Sequence, residues 1–339
     1  MNTQTRYQGF QNAGVRQAST TFDSTSAGKP RFGRVKVLGP GGFFNLAYTE
    51  WGPPRAERTV LCAHGVSRLG RDFDHLAMGL AAAGARVVAP DLPGRGRSDW
   101  LGSWAHYSDA TYTAAMAALI ARLDVESIDW VGTSAGGHIG MMVAAEAGTP
   151  IRRLILNDFG ARLAASALRP IAGYLGRDWR FESFEELEAH VRDAHAPFGT
   201  LTDDQWRHIA KHSAVRDDRG GLRFHYDPAI GRRFMVPILV DIVLWRLWER
   251  VECPVLVIRG QHSTVLSVAT VAEMLKRGTA AREGQVFAVE VPGCGHAPAL
   301  MDDDQIAMVR EFIFADEPRL EVPASWPTIR STAQTKPLS

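Results

Sequence analysis

The chain has 339 residues, 45% of them hydrophobic and 22% charged, with a formal net charge of +1. That is enough apolar material for one large α/β domain or a domain carrying an insertion, and the scattered arginines leave no footprint for nucleic acid or another polyanion. Cys62, Cys253 and Cys294 are too few for a disulfide framework and no pair has metal-ligand spacing. No secretory-type start or membrane-length apolar run is seen, so a cytoplasmic protein without membrane insertion is the default expectation.

Residues 1–30 are rich in Gln, Asn, Thr and Ser and read as a flexible N-terminal arm. Alternating patterns over 32–38 and 44–51 predict two strands joined by Gly39-Pro40-Gly41-Gly42. Short apolar strands follow at 58–63, 85–90, 127–131 and 151–157, separated by helical patterns over 72–84, 106–123 and from Ser134 to about 147. This alternation predicts a mostly parallel central β-sheet covered by helices on both faces. It stops near residue 160 and resumes with strands at 254–259 and 285–291 and a closing helix over 303–314. The core domain is therefore assigned to 31–159 and 251–316, with an irregular C-terminal tail at 317–339.

Residues 160–250 read as a helical cap inserted at the carboxyl edge of the sheet. Helical patterns cover 184–195, 202–212 and 241–249, and Thr202 with Gln205 fits a capping box. The segment holds many aromatics, among them Trp179, Phe181, Trp206, Phe224, Trp245 and Trp248. These either line an acyl- or aryl-binding pocket or bury the insertion against the main domain. Trp245 and Trp248 are the named pocket candidates.

The chemistry centres on Asp129-Trp130-Val131-Gly132-Thr133-Ser134-Ala135-Gly136-Gly137-His138. A strand runs into a serine flanked by small residues and then into a helix. A nucleophile on so sharp a turn has a strained backbone, which demands minimal side chains two positions before and after it. A serine hydroxyl needs a base, and His296 qualifies because it follows the last strand in a glycine-rich loop able to bend back over Ser134. Acyl transfer also needs donors for the carbonyl oxyanion. The Ala135 N–H at the helix start is one, and Val66, in the loop after the strand at 58–63, is the other. His64 is read as holding that loop. Arg68 either meets a substrate carboxylate or faces solvent.

With these pieces in order, the sequence resembles the α/β-hydrolase superfamily, particularly its cap-bearing esterase and carbon–carbon-bond hydrolase branch. The matching residues are His64-Gly65, Asp91-Leu92-Pro93-Gly94-Arg95-Gly96-Arg97-Ser98, Gly132-Thr133-Ser134-Ala135-Gly136-Gly137 and Gly293-Cys294-Gly295-His296. The resemblance implies the α/β-hydrolase fold, Ser134 as nucleophile, His296 as base, Val66 and Ala135 as oxyanion donors, and no cofactor.

One position departs from the pattern. The family usually carries its acid shortly after the strand at 254–259, where this chain has Gly260-Gln261-His262-Ser263-Thr264. Thr264 stands at the expected place and can orient an imidazole without stabilising its charge. Asp158, after the strand at 151–157, is the substitute; otherwise it anchors the cap and the pair works as a Ser–His dyad. Asp91 is read as loop support. The expected reaction is hydrolysis of a small-molecule carboxylic ester, with largely apolar substrates of small or medium size. Carbon–carbon-bond hydrolysis of a dienoate or β-diketone, transfer to an acceptor other than water, and ligand reception on a degenerated hydrolase fold are the rivals. Homo-oligomerisation is compatible with the chain and is not determined by it.

Overall fold

The computed structural model describes residues 29–175, 177–234 and 240–329. Most of the expected N-terminal arm and the last ten residues of the tail lie outside them. Eight strands form one sheet: β1 Arg31–Gly39, β2 Gly42–Trp51, β3 Thr59–Ala63, β4 Arg86–Pro90, β5 Ile128–Thr133, β6 Ile151–Asn157, β7 Val255–Gly260 and β8 Val286–Val291. Their spatial order is β1-β2-β4-β3-β5-β6-β7-β8. β1 and β2 run antiparallel to their neighbours, and from β4 onward every pairing is parallel.

The central strands are apolar on both faces because helices cover both. Leu61, Trp130, Leu156 and Val257 enter one core, while Val60, Cys62, Val131, Ile155 and Ile258 enter the other. Successive side chains point to opposite faces, so a continuous apolar run feeds two cores at once. Helices α2 (Asp109–Leu123) and α3 (Ala135–Ala144) pack on the first face through Met116, Leu119, Ile139 and Met141. Helix α1 (Asp74–Ala82) and the closing helix at Asp303–Phe314 cover the second through Leu76, Leu80, Met308 and Phe312. The expected helix over 106–123 is shorter, because Ser108 caps α2 by accepting the Thr111 N–H.

Between β6 and β7 lie helices α4 (Ala165–Tyr174), α5 (Phe184–Ala194) and α6 (Asp203–Ser213). The capping box of Thr202 and Gln205 opens α6 as expected. Helix α4 has no signature in the sequence: no side chain caps it, and Pro170 lies inside it. The helix expected over 241–249 shrinks to Trp245–Trp248, because Ile242–Val243 pairs instead with Arg162–Leu163. Short strands Arg180–Phe181, Ala214–Arg216 and Leu222–Phe224 form a second small sheet in the segment. Phe181, Trp206 and Phe224 bury one another with Leu187 and Ile209. For these aromatics the burial reading holds and the pocket reading does not.

After β7 come α7 (Val268–Met274) and the closing helix, here α8. The described part of the tail runs beside β8: Glu290 N–H donates to Pro327 O at 2.9 Å and Ile329 N–H to Ala288 O at 3.2 Å. Those bonds cover an otherwise open sheet edge.

Candidate active site

Ser134 sits where β5 turns into α3, at φ 50° and ψ −112°. For a residue with a β-carbon this conformation costs on the order of 1–3 kcal/mol, tolerated only where the surroundings enforce it. The enforcement is steric. A β-carbon on Gly132 would lie 2.4 Å from the Gly136 oxygen, and one on Gly136 would lie 1.9 Å from the Ala63 oxygen. Both positions must be glycine for β5, α3 and β3 to approach this closely.

His296 comes from the loop after β8. Its Nε2 is 3.0 Å from Ser134 Oγ and its Nδ1 is 2.5 Å from Asp158 Oδ2. Asp158 follows β6, is fully buried and has φ 53°. It also accepts the Gly260 N–H at 3.1 Å and the Ser263 O–H at 2.6 Å. An ionised carboxylate only accepts, so the hydrogen on His296 is assigned to Nδ1, leaving Nε2 to accept from Ser134. Thr264 is exposed, and its neighbour Ser263 is the residue that reaches the carboxylate. Asn157, at the end of β6, donates to Thr133 Oγ1 at 3.0 Å and to Pro298 O at 2.8 Å. It thereby ties the serine turn to the histidine loop. Neither Ser263 nor Asn157 had a signal in the sequence, since their partners are remote along the chain.

His64 is buried, and its two ring nitrogens have different jobs. Nε2 accepts the Leu92 N–H at 2.9 Å, so Nδ1 carries the hydrogen and donates to Gly65 O at 2.7 Å. Arg68 N–H also donates to Gly65 O, at 3.1 Å. These bonds fix the Gly65–Val66 peptide through its carbonyl; in a trans peptide the Val66 N–H then points the opposite way. The Val66 carbonyl is held in turn by Arg95 Nε at 2.8 Å. Ala135 begins α3, where the first N–H groups have no partner within the helix.

The His64 pKa falls from its ordinary 6.5 to about 3, chiefly through burial and then through the Arg95 and Arg68 charges, with the Gly65 hydrogen bond opposing. Below about 6.5 the unfolded chain binds a proton that the folded protein refuses. The stability from neutral His64 is thus complete above that pH and lost as pH drops toward 3. At pH 5 this one group is expected to remove about 2 kcal/mol relative to neutral pH. Denaturant titrations at both pH values check it: the loss should shrink by that amount in His64→Gln, and an unchanged loss would refute the assignment.

Arg68 is buried, and a two-pronged pair with Asp72 at 2.7 and 2.8 Å holds it, with Nη1 3.1 Å from His195 Nε2. The solvent-facing alternative for Arg68 is therefore wrong. Asp91 accepts the Gly70 and Arg97 N–H groups, which is loop support as expected. Trp245 and Trp248 do not join the site. Trp248 is buried with its indole N–H on Arg277 O, and Trp245 stacks against the Arg277 guanidinium, 4.5 Å from ring centre to charge. The inserted segment faces Ser134 with residues that went unrecognised in the sequence: aliphatic on one side, with Leu163, Leu168, Ile171, Ile230, Ile242 and Leu244, and partly aromatic on the other, with Tyr174, His195 and Phe198.

Two cavities meet at Ser134. One, of about 400 Å³, is bounded by Val66, Ala135, Arg95, Tyr112 and those aliphatic side chains. The other, of about 300 Å³, is bounded by His296, Thr133, Arg68, Tyr174, His195 and Thr264. Elsewhere, Asp74, His208 and His212 bring ligand-type atoms within 4.8 Å of one another. Arg71 grips the Asp74 carboxylate there and opposes a second cation. No helix among the described residues is long and apolar enough to cross a membrane.

An eight-stranded, mostly parallel sheet with a serine at a strained strand-to-helix turn defines a hydrolase of the α/β type, and comparison with known proteins agrees. The family model described as the Alpha/beta hydrolase family matches residues 60–309, and the chain belongs to that family. A 3-hydroxybutyrate-oligomer hydrolase of Cupriavidus necator is 44% identical over 292 residues, covering 84% of this chain and 97% of that protein. Among solved structures, an alpha/beta hydrolase from Novosphingobium aromaticivorans matches with a TM-score of 0.71 at 30% identity, covering 82% of this chain and 96% of that one. A hydrolase structure from Rickettsia typhi matches with a TM-score of 0.76 at 29% identity, covering 84% of this chain and 98% of that one.

Proposed function

We propose that the protein is a carboxylic ester hydrolase working through an acyl-serine, with short oligoesters of small hydroxy acids as its substrate class. The observation that carries this reading is the hydrogen-bonded series Ser134–His296–Asp158 beside two substrate-sized cavities. Ser134 Oγ attacks the ester carbonyl as His296 Nε2 takes its proton, and the Val66 and Ala135 N–H groups receive the oxyanion. Asp158 stabilises the imidazolium. The tetrahedral intermediate collapses, the C–O bond breaks, and His296 returns the proton to the leaving alkoxide. Water activated by the same imidazole then attacks the acyl-serine, releasing the acid and restoring Ser134.

The proton must reach the leaving oxygen from His296, which assigns the two cavities. The smaller, bounded by His296, receives the alcohol half; the larger, bounded by Ala135 and sharing Val66 with the smaller, receives the acyl half. The aliphatic wall that the inserted segment supplies as a lid suits methyl-bearing four-carbon units. The Cupriavidus necator relative, named for hydrolysing 3-hydroxybutyrate oligomers, supports the substrate class.

Purified protein is expected to release 3-hydroxybutyrate from its dimer and trimer and to take up one equivalent of a fluorophosphonate probe on Ser134. Failure to label, together with no turnover of any ester, would sink the proposal. Labelling without oligomer cleavage would retain the serine chemistry and remove the substrate class.

A further inference from the structure

The acyl cavity is bordered by a buried cation that forms no ion pair among the described residues. Arg95 is 1% exposed, yet among the described residues no carboxylate forms an ion pair with it. Its Nε donates to Val66 O, and its Nη1 donates to Pro93 O at 2.7 Å and to Tyr112 Oη at 2.6 Å. Those three bonds account for three of the five guanidinium hydrogens. The two on Nη2 meet no acceptor among the described residues. Asp227 is committed to the Tyr107 hydroxyl and the Ala229 N–H, and Asp109 borders the cavity from the exposed start of α2. The guanidinium carbon lies 5.3 and 6.0 Å from the ring centres of Tyr112 and Tyr107, whose faces ease its burial. Arg68, by contrast, has its charge matched by Asp72.

Desolvating a cation is costly, and an unused donor pair beside a cavity adds to the cost unless a ligand takes it up. Aliphatic acyl chains alone do not require such a group. We propose that Arg95 is a specificity residue whose Nη2 receives an oxygen on the acyl chain, so that the larger cavity selects oxygen-bearing acyl groups over alkyl groups of equal size. Hydroxyl, internal ester carbonyl and carboxylate share this acceptor chemistry. The inference rests on the reading of Ser134 as nucleophile and of this cavity as the acyl side. It gives the largely apolar pocket a means of distinguishing a hydroxy-acid oligomer from a fatty ester. A site built to hydrogen-bond a substrate oxygen penalises the analogue lacking it, because its own buried group is then left unpaired.

The test compares two pairs of p-nitrophenyl esters of matched shape: 3-hydroxybutyrate with 3-methylbutyrate, and the half-ester of glutarate with 5-methylhexanoate. Each rate is normalised to hydroxide-catalysed hydrolysis. Wild-type kcat/KM is expected to favour the oxygenated member of at least one pair by about tenfold or more. The pair showing the larger ratio identifies a neutral or an anionic acceptor. Because Arg95 also holds the Val66 carbonyl, Arg95→Met should slow every ester, so the readout is the ratio, expected to fall below about threefold, with Arg95→Lys between. A wild-type ratio below about threefold for both pairs, or a ratio that survives in Arg95→Met, would overturn the proposal. The wild-type ratio decides alone if the variant does not fold. Absence of turnover above the Ser134→Ala background with all four esters would instead remove the ester-hydrolase reading.

Discussion

Replacing Ser134 with alanine is expected to lower kcat on activated short-chain esters by about 10⁵- to 10⁶-fold while leaving the protein folded. The loss is this large because the nucleophile, base and acid act as one unit. Without the hydroxyl, the imidazole has no bound nucleophile to deprotonate, and only the oxyanion donors and binding remain. Stability should change by about 1 kcal/mol or less, since among the described residues the hydroxyl makes one hydrogen bond, with the half-buried His296 ring. Alanine keeps the β-carbon and therefore the strained φ of 50°, so the variant tests chemistry without relaxing the turn. Steady-state kinetics and a thermal melt on the same preparation check both halves. A folded variant with wild-type turnover would refute the acyl-serine mechanism.

The second large effect is expected at Asp158. Changing it to asparagine should reduce kcat by about 10⁴-fold. The amide oxygen can still accept the Gly260 N–H, but the amide nitrogen would then face the Ser263 hydroxyl and His296 Nδ1. Ser263 can rotate and accept. The imidazole cannot present a hydrogen to a donor, so it shifts its proton to Nε2, and the nitrogen beside Ser134 becomes a donor instead of a base. Thr264→Ala, at the place where the family usually carries its acid, should retain activity within a few-fold. Kinetics on the two variants separate the carboxylate from the threonine, and a larger loss at Thr264 than at Asp158 would reverse the assignment.

These two residues also show how much of the site could be read without coordinates. Ser134 was legible because its demands are local: a strand, a turn that excludes side chains and a helix all lie within ten residues. His296 was legible from its place after the last strand, where a glycine-rich loop has the freedom to return over the sheet. Asp158 could be named only as one of two alternatives, since its contact with His296 spans 138 positions of sequence. Ser263 and Asn157 gave no local signal, as an ordinary serine and an ordinary asparagine acquire their roles only from what lies across from them. For Trp245 and Trp248 the sequence leaves two readings open, pocket lining or burial of the insertion, because a large apolar side chain serves either; the structure takes the second, with Trp248 buried and Trp245 against Arg277.

Hydrophobic periodicity and turn chemistry determined the order of strands and helices, the sharp turn at Ser134 and the presence of an insertion between β6 and β7. Both act over a few neighbouring residues, where backbone sterics dominate. Only the tertiary structure decided which carboxylate meets the imidazole, which side chains of the insertion face the serine, and that Arg95 is enclosed without an ion pair among the described residues. Those outcomes depend on strand order and on the close approach of distant loops, and burial acts on a charge only once the chain has closed around it.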